Sequence, residues 1–178
     1  MGQDTGSPAA AEALKLDGLR FAIEKSLRYH QRRRAHFERW HRLAMFCIIL
    51  MGSAAIVPWS PWFFGLIAAA LAALDLVYSP AVRACDHDRL YRCFAELAGS
   101  IASEAAPTDA HLRAWAGQRI KIEADEPPVF WAVEADCYNE VARAWGRTKE
   151  PLNQLALWQR PIKHFVRFEG TDFAASAR

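Results

Sequence analysis

Charge is absent from 32 consecutive residues, 43–74, where no Asp, Glu, Lys, Arg or His occurs. A gap of that length excludes an ordinary soluble surface over this stretch. A chain of 178 residues has too little other material to bury two all-apolar helices in a soluble core. Cysteine is also sparse. Cys47, Cys85, Cys93 and Cys137 are scattered, with no CxxC pair, so reduced thiols facing a cytosol are expected rather than a secreted disulfide framework. The chain has no glycine-rich phosphate loop, no GxSxG and no HExxH, and nothing alternates as a strand does. There is no internal repeat. A net charge of +2 gives no general case for nucleic acid. The apolar run begins only at residue 43, so a secretory signal is not expected.

What is present is a divided apolar run. "AAIVPWSPWFFGLIAAAL" (54–71) is interrupted by Pro58, Trp59, Ser60, Pro61 and Trp62. Proline cannot continue a helix cheaply, serine suits a turn, and tryptophan prefers the membrane interface. The run therefore reads as two spans, 43–58 and 62–78, joined by an uncharged tip. Each is short of the ~20 residues that a bilayer core asks for. Trp40 and Trp59 bracket the first span, and Trp62 and Tyr78 the second, at about 24–28 Å along a helix.

The basic residues lie at the other ends. Lys25, Arg28, Arg32, Arg33, Arg34, Arg39 and Arg42 precede the first span, and Arg83, Arg89 and Arg92 follow the second. The positive-inside rule then places both termini in the cytoplasm of a cell whose inner membrane holds the hairpin. Arg32, Arg33 and Arg34 are candidates for binding anionic head groups, at about 1 kcal/mol each; an ordinary cytoplasmic flank has the same look. Trp40, Trp59, Trp62 and Trp158 are the candidate interface anchors.

Outside the apolar run the pattern is helical. Leu16, Leu19, Ile23, Leu27, His30, Phe37 and Trp40 recur at threes and fours, so residues 12–42 read as a basic amphipathic helix able to run unbroken into the first span. Over 79–147, Ser79 and Pro80 allow a kink. Leu90, Phe94, Leu97 and Ile101 form a stripe. Pro107, Thr108 and Asp109 signal a new helix start, "DEPP" (125–128) breaks the chain, and Phe130, Val133, Cys137, Val141 and Trp145 form a last stripe that ends at Gly146. Residues 148–170 hold Leu155, Trp158, Ile162, Phe165 and Phe168 among Arg160, Lys163, His164 and Arg167. They suit a membrane interface or packing on the bundle or a neighbouring subunit. Residues 1–11 and 171–178 read as disordered tails.

Chemistry is thin. Cys85, Asp86, His87 and Asp88 with Cys93 mix soft and hard ligands without a closed zinc spacing. Glu123, Asp125 and Glu126 are explained by helix N-terminal charge. No catalytic, cofactor or metal residue is assigned, and an enzyme is not expected. In the second span, Gly65, Ala69 and Ala73 make a small-residue face suited to subunit contact, or to packing the hairpin on itself. Asp75 is a candidate pore mouth, or a partner for Arg42.

The basic helix "RYHQRRRAHFERWHRLAMF", two short spans and a helical tail resemble the SLATT proteins. These are bacterial two-transmembrane proteins associated with nucleotide-signalling and SLOG-type sensor genes. The resemblance covers roughly residues 15–150 and rests on layout. "EADEPPVFWAVEADCYNEVARAWG" is also similar to small prophage-associated membrane proteins. The resemblance implies a membrane-perturbing or pore-forming effector of antiviral defence, with sensing by a separate protein or by the helical bundle. The whole reading is an all-α membrane protein: a two-span helical hairpin, a long N-terminal juxtamembrane helix and a C-terminal cytoplasmic helical bundle, homo-oligomeric in the lipid bilayer and without a nucleic-acid partner. Two other classes stay open: a constitutive or pH-gated small channel, for which His30, His36, His41 and His87 are the titrating candidates, and a non-conducting scaffold of prophage origin.

Overall fold

The structure is a computed structural model and describes residues 8–54, 61–147, 152–171 and 173. It is all-helical, with no strand among the described residues. The elements are α1 (Pro8–Ala54), α2 (Pro61–Tyr78), α3 (Pro80–Ser103), α4 (Asp109–Ala124), α5 (Trp131–Ala144) and the single turn α6 (Gln159–Ile162). The chain divides into two compact units, one of residues 1–30 and 90–178 and the other of residues 31–89. The division falls between residues 30 and 31 and between residues 89 and 90.

The first unit is a helical bundle with a continuous core. Leu19 and Ile23 of α1, Phe94, Leu97 and Ile101 of α3, and Leu112 and Trp115 of α4 form one buried cluster. Their spacing of three and four residues puts each set on one helix face. Full burial of such a side chain contributes about 1.5–3 kcal/mol. On α5, Val133, Cys137 and Val141 recur every fourth residue and are fully buried. Val133 and Cys137 meet Tyr29, while Val141 and Ala142 meet Phe21.

Local signals fix the ends of these helices. The Thr108 hydroxyl accepts from the His111 backbone N–H, and His111 Nδ1 accepts from the Thr108 N–H, both at 3.4 Å. This reciprocal pair starts α4 as a capping box does, with histidine in place of the usual acid. Gly146, at φ +67°, follows α5 in the left-handed region. Polar links then tie the "DEPP" stretch and α5 to α1. The Phe130 N–H donates to Tyr29 Oη at 3.0 Å, and Lys25 pairs with Glu134. His30, fully buried, lies 3.1 Å from Glu126 and stacks on Phe94.

Helix and packing are described within parts of both stretches expected as tails. Helix α1 begins at Pro8, inside residues 1–11, because an alanine-rich run propagates helix well and proline is tolerated in the first turn. Phe173, from 171–178, is buried on Ala132 and Ala135, and its carbonyl accepts from the Gln154 N–H at 2.8 Å. Over the described residues 152–170 the C-terminal segment has one helical turn, α6. It is held to the bundle by Asn139, whose amide exchanges two 2.7 Å bonds with the Asn153 backbone, and by Lys163, which pairs with Asp136 at 2.6 Å.

Candidate functional site

The second unit carries the apolar segments. Its base is built from α1 and the start of α3. Phe37 is buried, stacks on His87 at 5.7 Å, and lies under the Arg33 guanidinium at 4.6 Å. Arg83 caps the Tyr78 ring at 4.6 Å. Arg34 bonds Glu38 at 2.7 Å and also pairs with Asp88. His36 sits beside this cluster with its pKa lowered to about 4, first by burial and then by the nearby Arg33 and Arg39 charges.

Above this base, burial stops. Among the described residues 43–54 and 62–78, none is buried. Phe46, Ile49, Leu66, Leu74, Leu76 and Val77 are all exposed, Val77 by 82%. The helical run Trp62–Ser103 contains an 18-residue window of mean hydropathy 1.8, none of it buried inside the chain. This stretch is long and apolar enough to cross a membrane, and it is the one such stretch among the described residues. The sequence leads to an expectation of two spans, and the described residues hold one such stretch. The first expected span is described only to Ala54. The expected turn at Pro58, Trp59 and Ser60 lies outside the described residues.

The expected site residues fall into three groups. Gly65, Ala69 and Ala73 sit at every fourth position of α2, and a Cβ added at Gly65 would meet no described atom within 4 Å. Ala69 and Ala73 are exposed and Gly65 is half-buried, and Gly65 serves no close packing inside the described chain. Asp75 is mostly shielded and lies 3.2 Å from His41 Nδ1. The partner expected for it, Arg42, instead contacts Glu38 at 3.4 Å. His41 and Asp75 meet where α1 and α2 come together, and sequence spacing carries no signal of that register.

The three arginines expected at the membrane surface are placed differently from one another. Arg33 is 2% exposed and lies over Phe37, so its guanidinium is packing material and not a surface charge. A planar, weakly hydrated cation suits an aromatic face. Arg34 is exposed but has two carboxylate partners, and Arg32 is half-buried. Trp40 is half-buried, Trp62 is 72% exposed, and Trp59 lies outside the described residues. Trp158 is exposed beside Leu157, with Phe165 and Val166 also exposed, although Trp158 makes an edge contact to Phe168 at 5.6 Å.

Among the described residues no three His, Cys, Asp or Glu side chains gather as a metal site. His87 stacks on Phe37 and Asp88 pairs with Arg34, while Cys85 is exposed. Compared with known protein families, curated proteins and solved structures, the chain matches none.

Proposed function

We propose that this chain is an oligomeric inner-membrane protein of the SLATT type, inserted as a two-span hairpin with both termini cytoplasmic, that perturbs or perforates the bilayer. One observation carries the reading: a helical stretch of high hydropathy exposes large apolar side chains and has none of its apolar window buried inside the chain. In water that surface is strongly unfavourable; in lipid it is solvated. The open Gly65, Ala69 and Ala73 face supports close helix association between subunits. The exposed Leu157, Trp158, Phe165 and Val166 support interface contact by the C-terminal segment. The chemistry is physical and not catalytic. A separate sensor protein supplies the trigger in this reading.

The test is dye and ion leakage from liposomes carrying the purified chain, with empty liposomes as control. Leakage that is lost on Gly65→Leu supports an assembled pore. Failure to insert removes the reading altogether. The His41–Asp75 pair favours a second reading, a small pH-gated channel, for which leakage follows external and internal pH and changes its midpoint on His41→Gln.

A further inference from the structure

The bundle unit contains a cavity of about 310 Å³ that the reading above does not use. It exists because α3 carries Ala98 and Ala102, one turn apart, beside the bulky Leu97 and Ile101 of its buried stripe. Methyl side chains there leave space that Ile23 and Leu27 of α1 do not fill. The Trp145 indole closes one side. The volume falls at the lower end of the range of small-molecule sites, which are apolar with a few placed polar groups.

The polar groups at its lip are unequal. Glu24 is occupied. Its carboxylate accepts from Trp145 Nε1 at 2.6 Å and from Arg28 at 2.7 Å. Burial alone would raise its pKa, but these two donors outweigh burial and hold it below the ordinary carboxylate value. Arg28 in turn also lies 3.7 Å from Glu140. Arg20 differs. It is exposed, lines the same cavity, and has no hydrogen bond or ion pair among the described residues. The one uncompensated charge at the lip is therefore a guanidinium, whose planar fork matches a carboxylate.

We infer that this cavity binds a small amphipathic carboxylate, with its apolar body against Ile23, Leu27 and the two alanines and its head on Arg20. The inference is independent of whether the chain forms a pore.

The test uses the full chain in nanodiscs of neutral lipid, with empty nanodiscs as blank. Three probes share one body: naphthoate, naphthalenemethanol and naphthylmethylammonium. Equilibrium dialysis reads their dissociation constants. Naphthoate is expected to bind tightest, roughly tenfold or more over the ammonium probe, as one charge-assisted contact implies. Arg20→Gln is expected to abolish that order and leave the alcohol's binding unchanged. Ala98→Leu, which fills the floor, is expected to weaken all three. Helical content and thermal midpoint verify that each variant folds. Absence of saturable naphthoate binding, equal binding of the three probes, or binding indifferent to Ala98→Leu each overturns the inference.

Discussion

His36 makes the stability of this protein depend on pH. Its imidazole titrates near 4 in the folded chain, against 6.5 when free of the fold, because burial and the charges of Arg33 and Arg39 oppose a third positive charge. Between those two values the unfolded chain binds the proton and the folded chain does not, so stability is full above about pH 6.5 and falls as pH drops toward 4. At about 1.36 kcal/mol per pH unit the whole shift amounts to about 3 kcal/mol. About 2 kcal/mol of it is gone by pH 5, an upper figure because solvent screens the arginines. For a chain of this size that is a drop in melting midpoint of about 4–8 °C. The assay is thermal loss of the helical signal in nonionic detergent at about pH 7.5 and about pH 5, for the natural chain and for His36→Gln. Carboxylates also begin to titrate at the lower value, so the quantity that counts is the difference between the two proteins' shifts. Glutamine carries no titrating group, and the variant should lose less stability on acidification by about 1–2 kcal/mol. Equal shifts in the two proteins would refute the argument.

Other perturbations have equally definite outcomes. Phe94→Ala, at a fully buried position of the main core cluster, should cost about 3–5 kcal/mol and show as a large fall in melting midpoint. Asn139→Ala removes both bonds to the Asn153 backbone; it should destabilise by about 1–3 kcal/mol and speed hydrogen exchange in residues 152–171 more than in α4. Arg33→Met should preserve vesicle binding to anionic lipid, because this arginine is buried over Phe37, whereas loss of binding would return it to the surface. The double variant Gly65→Leu, Ala69→Leu should lower the oligomer mass measured in detergent, and an unchanged mass would exclude that face as a subunit contact.

Periodicity made much of the helical bundle legible. The buried stripes Leu19–Ile23, Leu90–Phe94–Leu97–Ile101 and Val133–Cys137–Val141 follow from threes and fours in the sequence, and Thr108 and Gly146 sit where helices start and stop. Long-range choices were not legible. Glu126 is a helix-terminal charge by sequence position, yet it faces His30 across 96 residues, and only the fold brings them together. His87 stands in a Cys/Asp/His stretch that mixes ligand types, and in the fold it stacks on Phe37. Arg33 is as basic as its two neighbours; the difference is rotation about the helix, which places Arg33 four residues before Phe37 on the packed face. Phe173 gave a weak signal, a lone aromatic in an alanine- and serine-rich tail, and small-residue composition outweighed it.

A single residue separates α2 from α3. Ser79 has φ +47°, in the left-handed region that a serine adopts only at a cost of about 1–2 kcal/mol. Its N–H still donates to the Asp75 carbonyl at 2.8 Å and its hydroxyl to the Leu76 carbonyl at 2.6 Å, so the interruption leaves little backbone unsatisfied. In an unbroken α-helix, residues 76, 80 and 84 would share one side. Here Leu76 is 77% exposed while Pro80 and Ala84 are buried. The serine acts as a phase reset: the screw of α2 need not carry over into α3, and each helix can aim its apolar side independently. One helix can thus keep its large apolar side chains exposed, while the next commits a side to protein. Substituting glycine at this position should keep the reset and relieve the strain, whereas a residue that restores the helical screw would force both helices to share one orientation.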